Sequence, residues 1–252
     1  MLPLILALMF ALAAGLVGCI ALMKRLLLAG DVVSHLALPG LGIALLMGRN
    51  SLLGAAASLF LGILLVWQLQ KKTELATEAA VGVVFATALA IGAAVTPKED
   101  LVEALFGELR PMSMGGFFLG LAGVFVVIVS VLALKDRLTL SIFSPDLAAA
   151  TGVNVARIDL CFLLVFGLTV LIGLRFMGAL LASALIIVPA ATARQLTGNL
   201  WGFFLVSSGA SVLSVLIGFL FNAFLVRSST AGPAIVIVSA VLFALSLGIQ
   251  KR

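Results

Sequence analysis

The charged residues of this chain divide it into apolar runs about as long as a membrane-spanning helix. A bilayer core of roughly 30 Å needs about 20 apolar residues per helical span. Nine runs approach that length, at residues 3–23, 31–48, 51–69, 78–96, 114–134, 158–174, 177–193, 201–225 and 233–249. The sequence therefore predicts an all-α, polytopic membrane protein.

The composition excludes a soluble protein. Of the 252 residues, 63% are hydrophobic and 10% are charged, which is outside the usual composition of soluble domains. No segment of soluble-domain size remains between the apolar runs, and the sequence has no glycine-rich phosphate-binding loop followed by lysine. We therefore expect a single transmembrane domain over residues 1–252 that is not itself an enzyme. Any work driven by ATP would require a separate chain.

The number of spans depends on the sixth and seventh runs, which are separated by little more than residues 174–178. One of this pair is either a full span or a broken or re-entrant helix, so we expect eight or nine transmembrane helices. The first run, from Leu2 to Met23, lacks the preceding basic residues of a signal peptide and is followed by Lys24 and Arg25. It is interpreted as a retained first helix.

The basic residues predict which side of the membrane each connection faces. With the N-terminus outside, ten of them fall on the cytoplasmic side and five on the outer side. The ten are Lys24, Arg25, Lys71, Lys72, Lys135, Arg137, Arg157, Arg194, Lys251 and Arg252, and the five are Arg49, Lys98, Arg110, Arg175 and Arg227. Cytoplasmic connections are normally the richer in lysine and arginine, so we place the N-terminus outside and the C-terminus inside a cytoplasmic membrane. The basic residues form no patch, which argues against a nucleic-acid partner.

Three further patterns predict packing or surface features. Cys19 and Cys161 each stand alone in an apolar run, which suggests small apolar packing residues and neither a disulfide nor a zinc site. Leu101 to Leu109 is typical of a short amphipathic piece on the outer surface. Small residues at four-residue spacing allow helices to approach closely. Their rows are Gly54, Ser58 and Gly62; Gly82, Ala86 and Ala90; and Gly116 and Gly120.

The second run contains the single histidine of the chain and an aspartate four residues before it. Its uncharged part, from Leu36 to Gly48, would form a helix of only about 20 Å at 1.5 Å per residue. A full span must therefore include His35, and we expect it to include Asp31 as well. An ionisable side chain within a membrane costs about 2.5–3.5 kcal/mol on insertion scales, which makes such a residue a functional candidate.

Asp31 and His35 would share one face of a helix, with their Cβ atoms about 5–6 Å apart. Carboxylate oxygen and neutral imidazole nitrogen are ligands for divalent zinc and manganese. One chain offers two such ligands where a closed zinc site has four, so a complete site would need a second copy. The alternative is structural, with Asp31 capping a helix N-terminus and His35 bonding to a neighbouring carbonyl. The spacing alone does not distinguish the two interpretations.

Two stretches resemble signatures of the ABC-3 family, the membrane permeases of zinc, manganese and iron importers. Residues 30–40 read Gly-Asp-Val-Val-Ser-His-Leu-Ala-Leu-Pro-Gly and resemble the family's Gly-Asp-x-x-Ser-His signature. Residues 178–194 resemble its Gly-x-Leu-Leu-x-x-Ala-Leu-Leu-x-x-Pro-Ala-Ala-Thr-Ala run. Order and spacing agree across nearly the whole chain, including Leu105-Phe106-Gly107, Phe143-Ser144-Pro145-Asp146 and Gly232-Pro233.

The resemblance implies a homodimeric permease that receives a metal ion from an extracytoplasmic binding protein and works with a cytoplasmic ATP-binding subunit. It also implies that Asp31 and His35 line the metal path, and so favours the metal interpretation of this pair. Glu78 stands where the family often has an acidic residue and is a further candidate, the alternative being a charge at a helix end. The transported ion would be zinc, manganese or iron, and no permanently bound cofactor is expected.

The connection from Lys135 to Arg157 contains a segment that predicts a short surface helix near residues 144–152. Serine can cap a helix, proline suits its first position, aspartate favours its positive end and glycine ends it. In ABC transporters that this chain resembles, such a helix docks into the ATPase. The coupling residues implied by the resemblance are Phe143, Ser144, Pro145, Asp146, Leu147 and Gly152. The alternative is an amphipathic helix resting on the membrane, and Ser144 departs from the family, which more often has aspartate there.

Two further expectations concern mechanism. Pro189 lies in the seventh run, where a proline frees a backbone carbonyl and kinks a helix, so it is a candidate hinge.

The alternative function is a proton-coupled secondary metal transporter that uses Asp31 and His35 to carry protons. It is disfavoured because acidic residues within the apolar runs are otherwise nearly absent.

Overall fold

The part of the chain that the structure describes is built from helices. In this computed structural model the described residues are 2–26, 29–73, 77–95, 114–226 and 231–249. These ranges contain eleven α-helices and no β-strand, which confirms the predicted all-α class. The helices are α1 Leu2–Met23, α2 Ala29–His35, α3 Leu38–Leu46, α4 Ser51–Thr73, α5 Thr77–Val95, α6 Met114–Phe143, α7 Pro145–Ala150, α8 Val155–Met177, α9 Ala179–Leu196, α10 Leu200–Phe221 and α11 Gly232–Ile249. A π-helical turn, Asn222–Val226, follows α10.

Seven of the described helices are long and apolar enough to cross a membrane. They are Leu2–Met23, Ser51–Thr73, Glu78–Val95, Met114–Phe143, Val155–Met177, Ala179–Leu196 and Leu200–Phe224. Two shorter apolar segments, Gly30–Leu46 and Gly232–Gly248, correspond to the second and ninth predicted runs. The structure therefore supports a polytopic helical membrane protein. The predicted amphipathic piece at residues 101–109 lies outside the described ranges.

The second run is divided into two short helices. α2 ends at His35 and α3 begins at Leu38. Between them the amides of Leu36 and Ala37 bond to carbonyls only three residues back, at 3.1 and 3.3 Å, where an α-helix would bond four back. Pro39 has no N–H to donate to the carbonyl of His35, so the helical ladder cannot pass through this point unchanged.

The sixth and seventh runs, by contrast, form two continuous helices. α8 and α9 meet at Gly178, whose φ of +85° lies in the left-handed region that favours glycine. The chain therefore reverses direction at Gly178, and neither helix of this pair is broken. The interruption that the sequence suggested here lies in the second run.

Two contacts join three helices at one end of the bundle, which we call the Lys24 end. The Lys24 ammonium lies 2.5 Å from the Asp159 carboxylate, linking the end of α1 to the start of α8. The Trp67 indole N–H donates to the Ala156 carbonyl at 2.9 Å, linking α4 to the first turn of α8. The short helix α7, which the sequence predicts as the coupling segment, is separated from α8 by four residues and so lies at the same end.

α1 lies at the centre of the bundle, packed against α6, α9 and α10. Gly15 allows α10 to come close, because a Cβ there would lie 2.7 Å from the Cα of Ser208. The Ser207 hydroxyl donates to the Gly15 carbonyl at 2.8 Å, and the Cys19 thiol donates to a carbonyl of α10. Cys19 is buried as predicted for a packing residue, whereas Cys161 is exposed on α8 and does not fill the core.

α6 is longer than the apolar run that predicts it. The run ends at residue 134, but the helix continues to Phe143. Polar residues after Leu134 end the apolar stretch without ending the hydrogen-bond ladder. Most of the connection predicted from Lys135 to Arg157 is therefore helical, and α7 follows α6 after a single residue, Ser144.

Candidate functional site

α2 presents an acid and an imidazole that have no polar partner within the described part of the chain. Asp31 lies in the first turn and is exposed, while His35 ends the helix and is partly buried. The Ser34 hydroxyl donates to the backbone carbonyl of Asp31 at 2.6 Å. Among the described residues, neither the Asp31 carboxylate nor the His35 ring makes a hydrogen bond or ion pair. The cap and carbonyl bond of the structural alternative are therefore not formed there.

Phe85 of α5 forms one wall of this site. Its ring centroid is 5.7 Å from that of His35, with the planes tilted by 55°. Aromatic rings at this separation attract one another beyond their area of contact. The contact limits the orientations of the imidazole. No pattern in the sequence predicted Phe85.

Glu78 occupies the first turn of α5 and is exposed. It precedes Phe85 by seven residues, about two turns, so it lies on the same side of α5 about 10 Å further along the axis. Within the described ranges, no three His, Cys, Asp or Glu side chains come close enough to hold a metal ion. The structure thus keeps Asp31 and His35 on one helix but does not gather Glu78 with them into a closed site.

α4 packs its row of small residues against the break between α2 and α3. A Cβ on Gly54 would collide with the carbonyl oxygen of Gly40, and one on Gly62 would lie 2.9 Å from the side chain of Leu36. Between these glycines, the Ser58 hydroxyl donates to the Leu36 carbonyl at 2.7 Å. This row therefore has the close-packing role that its spacing predicts.

An apolar cavity of about 880 Å³ lies beside the break, between α3, α4 and α5. Leu36 and Ser58 line it, and its charged lining residue, Arg49, lies in the loop that joins α3 to α4. Asp31, His35 and Glu78 do not line this cavity. It offers no carboxylate or imidazole to a cation, so we do not assign the metal path to it.

The coupling segment forms the predicted short helix, but without the predicted side-chain cap. Ser144 precedes α7 with a φ of −150° and a ψ of 81°, and its hydroxyl makes no capping bond. Its carbonyl accepts the Ala148 amide at 3.0 Å, Pro145 occupies the first turn, and Asp146 lies near the positive end. Gly152 follows the helix with a φ of +81°, as expected of a residue that ends a helix.

Two apolar side chains project where α6 meets α7, Phe143 from the end of α6 and Leu147 from α7. Phe143 is 73% exposed and Leu147 is 53% exposed. Ala148, by contrast, is fully buried and fastens α7 to the bundle. The segment therefore presents an apolar surface at the Lys24 end while its other side is fixed to the protein.

Pro189 lies inside α9 and is buried. The helix continues through it from Ala179 to Leu196. The proline supplies no N–H to the carbonyl of Leu185, so one bond of the ladder is missing at this point. The Thr192 hydroxyl donates to the Val188 carbonyl at 2.9 Å, beside the missing bond.

The profile of the ABC 3 transport family matches residues 1–250. The chain belongs to this family. The match covers nearly the whole of this ABC 3 protein, as the agreement of motifs from residue 30 to residue 233 predicts.

Curated relatives of this ABC 3 protein are named as membrane components of manganese or zinc transport systems. The manganese import system permease protein ScaB of Streptococcus parasanguinis is 31% identical, over 99% of this chain and 90% of the relative. The manganese transport system membrane protein MntC of Halalkalibacterium halodurans is 29% identical, over 95% and 83%. The high-affinity zinc uptake system membrane protein ZnuB of Haemophilus influenzae is 28% identical, over 93% and 91%.

Two solved structures share the fold of this ABC 3 protein. PsaBC from Streptococcus pneumoniae in complex with Fab superposes with a TM-score of 0.82 at 24% identity, covering 97% of this chain and 89% of the other. An inward-facing conformation of a putative metal-chelate type ABC transporter gives 0.66 at 18% identity, covering 96% and 84%. At these identities the likeness establishes the helical architecture.

Proposed function

We propose that this chain is the membrane permease subunit of an ATP-driven importer for divalent metal ions, and that the ion passes along Asp31 and His35. The family and the relatives for manganese and zinc support the import of a divalent metal. The main support for this role of Asp31 and His35 is that neither side chain has a polar partner within the described chain. Both side chains can ligate a metal. Ionisable groups are costly in a membrane unless a substrate or partner uses them.

The ligand types of the pair fit manganese, zinc and ferrous iron. A carboxylate oxygen and an imidazole nitrogen suit all three ions, whose discrimination depends on geometry and availability. Two ligands from one chain bind an ion weakly. Weak binding suits a path from which the ion must leave again.

A second copy of the chain completes the site in this proposal. α5 runs beside α2, and its outward side carries the small residues Ala79, Gly82, Ala86 and Ala90, all exposed. A Cβ on Gly82 would meet nothing within 4 Å in the chain. Rows of small residues let membrane helices approach closely, so this side suits an α5-to-α5 contact about a two-fold axis. Such a contact brings two Asp31–His35 pairs to the same junction, with Glu78 at its edge.

The orientation follows from the charges. Ten basic residues lie on one side of the membrane if the N-terminus is outside, and this assignment makes the Lys24 end cytoplasmic. α7 is then on the side where an ATP-binding subunit is found. In this arrangement the broken segment α2–α3 and the short helix α11 also cross the membrane, which gives nine spans.

The transport cycle combines these parts. An extracytoplasmic binding protein delivers the ion to the junction of the two copies, and closure of two ATP-binding subunits moves α7 and the helices fastened to it. Phe143 and Leu147 supply the apolar contact, and Pro189 supplies a point of bending in α9. The change is a rigid-body movement of packed helices that exposes the ion path to one side at a time.

Uptake by the protein reconstituted in vesicles with its ATP-binding subunit tests the proposal. Asp31→Asn and His35→Ala should each abolish or strongly weaken saturable manganese or zinc uptake while assembly with the ATP-binding subunit is retained. Asp136→Asn is the matched control, because Asp136 is an exposed carboxylate paired with Lys135. Parental uptake in both site variants would remove the proposed path. Uptake that persists with an ATPase-dead partner and stops when the proton gradient is collapsed would favour the proton-coupled alternative.

A further inference from the structure

The Leu36 carbonyl belongs to the ladder of neither helix at the break. In an uninterrupted helix the amide of Gly40 would donate to it, but the α3 ladder begins with the Leu41 amide, which bonds to the Ala37 carbonyl at 3.0 Å. In the described chain, the hydrogen bond to the Leu36 carbonyl comes from the Ser58 hydroxyl, at 2.7 Å. An unpaired carbonyl at membrane depth is costly, so this bond stabilises the break.

The packing around Ser58 holds the two segments in one register. Gly40 and Gly54 meet backbone to backbone, because a Cβ on either would collide with the carbonyl oxygen of the other. Eight residues along α4 from Gly54, Gly62 makes room for the Leu36 side chain. Ser58 lies midway between these two contacts. α4 therefore contacts the break on both sides of the hydrogen bond and leaves it little freedom to slide.

The break begins directly after His35. The peptide that carries the Leu36 carbonyl is one residue from the His35 Cα, so fixing the orientation of that peptide limits where the imidazole can point. Phe85 restricts the ring from the side, as its centroid separation of 5.7 Å shows. The Ser58 hydroxyl restrains the backbone after His35 through its hydrogen bond to the Leu36 carbonyl.

We propose that Ser58 is a positioning residue for His35, whose hydrogen bond to the Leu36 carbonyl sets the imidazole for the transported metal ion. The inference rests on the proposed role of Asp31 and His35 in the metal path. Ser58 itself does not touch the ion. Loss of its hydroxyl frees the Leu36 carbonyl, the end of α2 shifts to find another donor, and the imidazole leaves its place beside Asp31. The metal is then bound less well, while the rest of the bundle is unchanged.

The test is the dependence of uptake on metal concentration, measured on the complete transporter in vesicles with manganese or zinc as the probe. Ser58→Ala should raise the KM for the metal about three-fold to twenty-fold, the range that interhelical hydrogen bonds in membranes supply. Maximal uptake and the amount of assembled complex should stay within about two-fold of the parent, because a loss of binding alone raises KM and leaves the maximal rate unchanged. Ser58→Thr keeps the hydroxyl at a position that lines the adjacent cavity, so its KM should return to the parental value.

Thr87→Val is the matched control. Thr87 lines the same cavity, but its hydroxyl bonds to the Val83 carbonyl of its own helix at 3.0 Å. Its KM should be parental. If Ser58→Ala does not assemble, Ser58→Cys keeps the size and weakens the donor, and a raised KM again supports the proposal.

Three results would overturn it: a parental KM in the Ser58 variant that assembles, a loss of maximal uptake with an unchanged KM, or an equal shift in Thr87→Val. The Asp31 and His35 variants separate this failure from failure of the proposed function. If they lose metal uptake and Ser58→Ala is parental, only the positioning role is wrong. If they retain parental uptake, the metal path itself is wrong, and the role of Ser58 is overturned with it.

Discussion

The Trp67 indole donates a hydrogen bond to the carbonyl of Ala156 at 2.9 Å. Ala156 lies in the first turn of α8, directly after the coupling segment, and Trp67 lies nine residues from Ser58 on α4, about 14 Å along the helix. α4 and α8 also interlock at Gly167, where a Cβ would collide with the side chain of Ile63. The one helix α4 therefore contacts both the start of α8, close to α7, and the break beside His35.

Trp67→Phe keeps an aromatic ring and removes the indole N–H, so it loosens α4 from the first turn of α8. We expect the metal transported per ATP hydrolysed to fall by up to about three-fold, the average effect of an interhelical hydrogen bond in a membrane, with an unchanged KM for the metal. Parallel uptake and ATPase measurements on reconstituted transporter give this ratio. Trp201→Phe is the control, since Trp201 is 61% exposed and stacks on Lys135. An unchanged ratio in Trp67→Phe would show that this bond does not transmit movement.

The ion pair of Lys24 and Asp159 predicts that replacing one partner lowers stability more than replacing both. The two side chains are 14% and 36% exposed, and the Lys24 ammonium is also 5.9 Å from the centroid of the Phe162 ring. Asp159→Asn leaves the ammonium partly buried without its anion, and we expect a loss of about 1–2 kcal/mol in unfolding free energy, below the range for fully buried pairs.

Replacing both partners should recover that stability, because an apolar pair leaves no uncompensated charge. The comparison is Asp159→Asn, Lys24→Met with Asp159→Leu, and the control Asp136→Asn, each measured by reversible denaturation in mixed micelles. Equal stability of Asp159→Asn and the control would mean that the ion pair contributes nothing.

The helical architecture could be predicted from the sequence because a bilayer demands apolar runs of a certain length. The positions of the helix ends could be predicted less accurately. Hydropathy changes at Lys135, yet α6 continues to Phe143, since charged residues are compatible with a helix in water. The second run is the opposite case, where apolar residues continue through Leu36 and Ala37 while the helix stops. Hydropathy reports the surroundings of a segment and leaves its hydrogen bonding open.

The candidate site was predictable only where it is local in sequence. The four-residue spacing of Asp31 and His35 places them on one face of α2, whereas Ser58 and Phe85 reach the site from α4 and α5 through tertiary packing. The cap predicted at Ser144 was wrong because residue preference does not fix side-chain geometry. Contacts between helices depend on how the whole bundle packs, which no single stretch of sequence records.

The proposed contact between two copies of the chain lies on the outward side of α5. Gly82 is exposed and has open space around it, so Gly82→Leu should leave the fold of one chain intact and block a close α5-to-α5 contact. We expect the dimer to dissociate at protein concentrations about tenfold higher than for the parent, measured by energy transfer between labelled copies in vesicles. Gly209→Leu is the control, because Gly209 is equally open but lies on α10. The same dimer strength in both variants would move the interface away from α5.

The apolar surface of the coupling segment predicts the contact with the ATP-binding subunit. Phe143 and Leu147 are exposed at the Lys24 end, where water would favour polar residues if this end faces the cytoplasm as proposed. Truncation of a central apolar anchor at an interface costs at least about 1–2 kcal/mol, so Phe143→Ala and Leu147→Ala should each weaken binding of the ATP-binding subunit about tenfold. Leu196→Ala is the matched control, since Leu196 is 41% exposed at the end of α9. Binding is measured by titrating the ATP-binding subunit onto the permease in nanodiscs. If all three variants bind the ATP-binding subunit as tightly as the parent does, α7 does not dock there. The alternative from the sequence, a helix resting on the membrane, is then favoured.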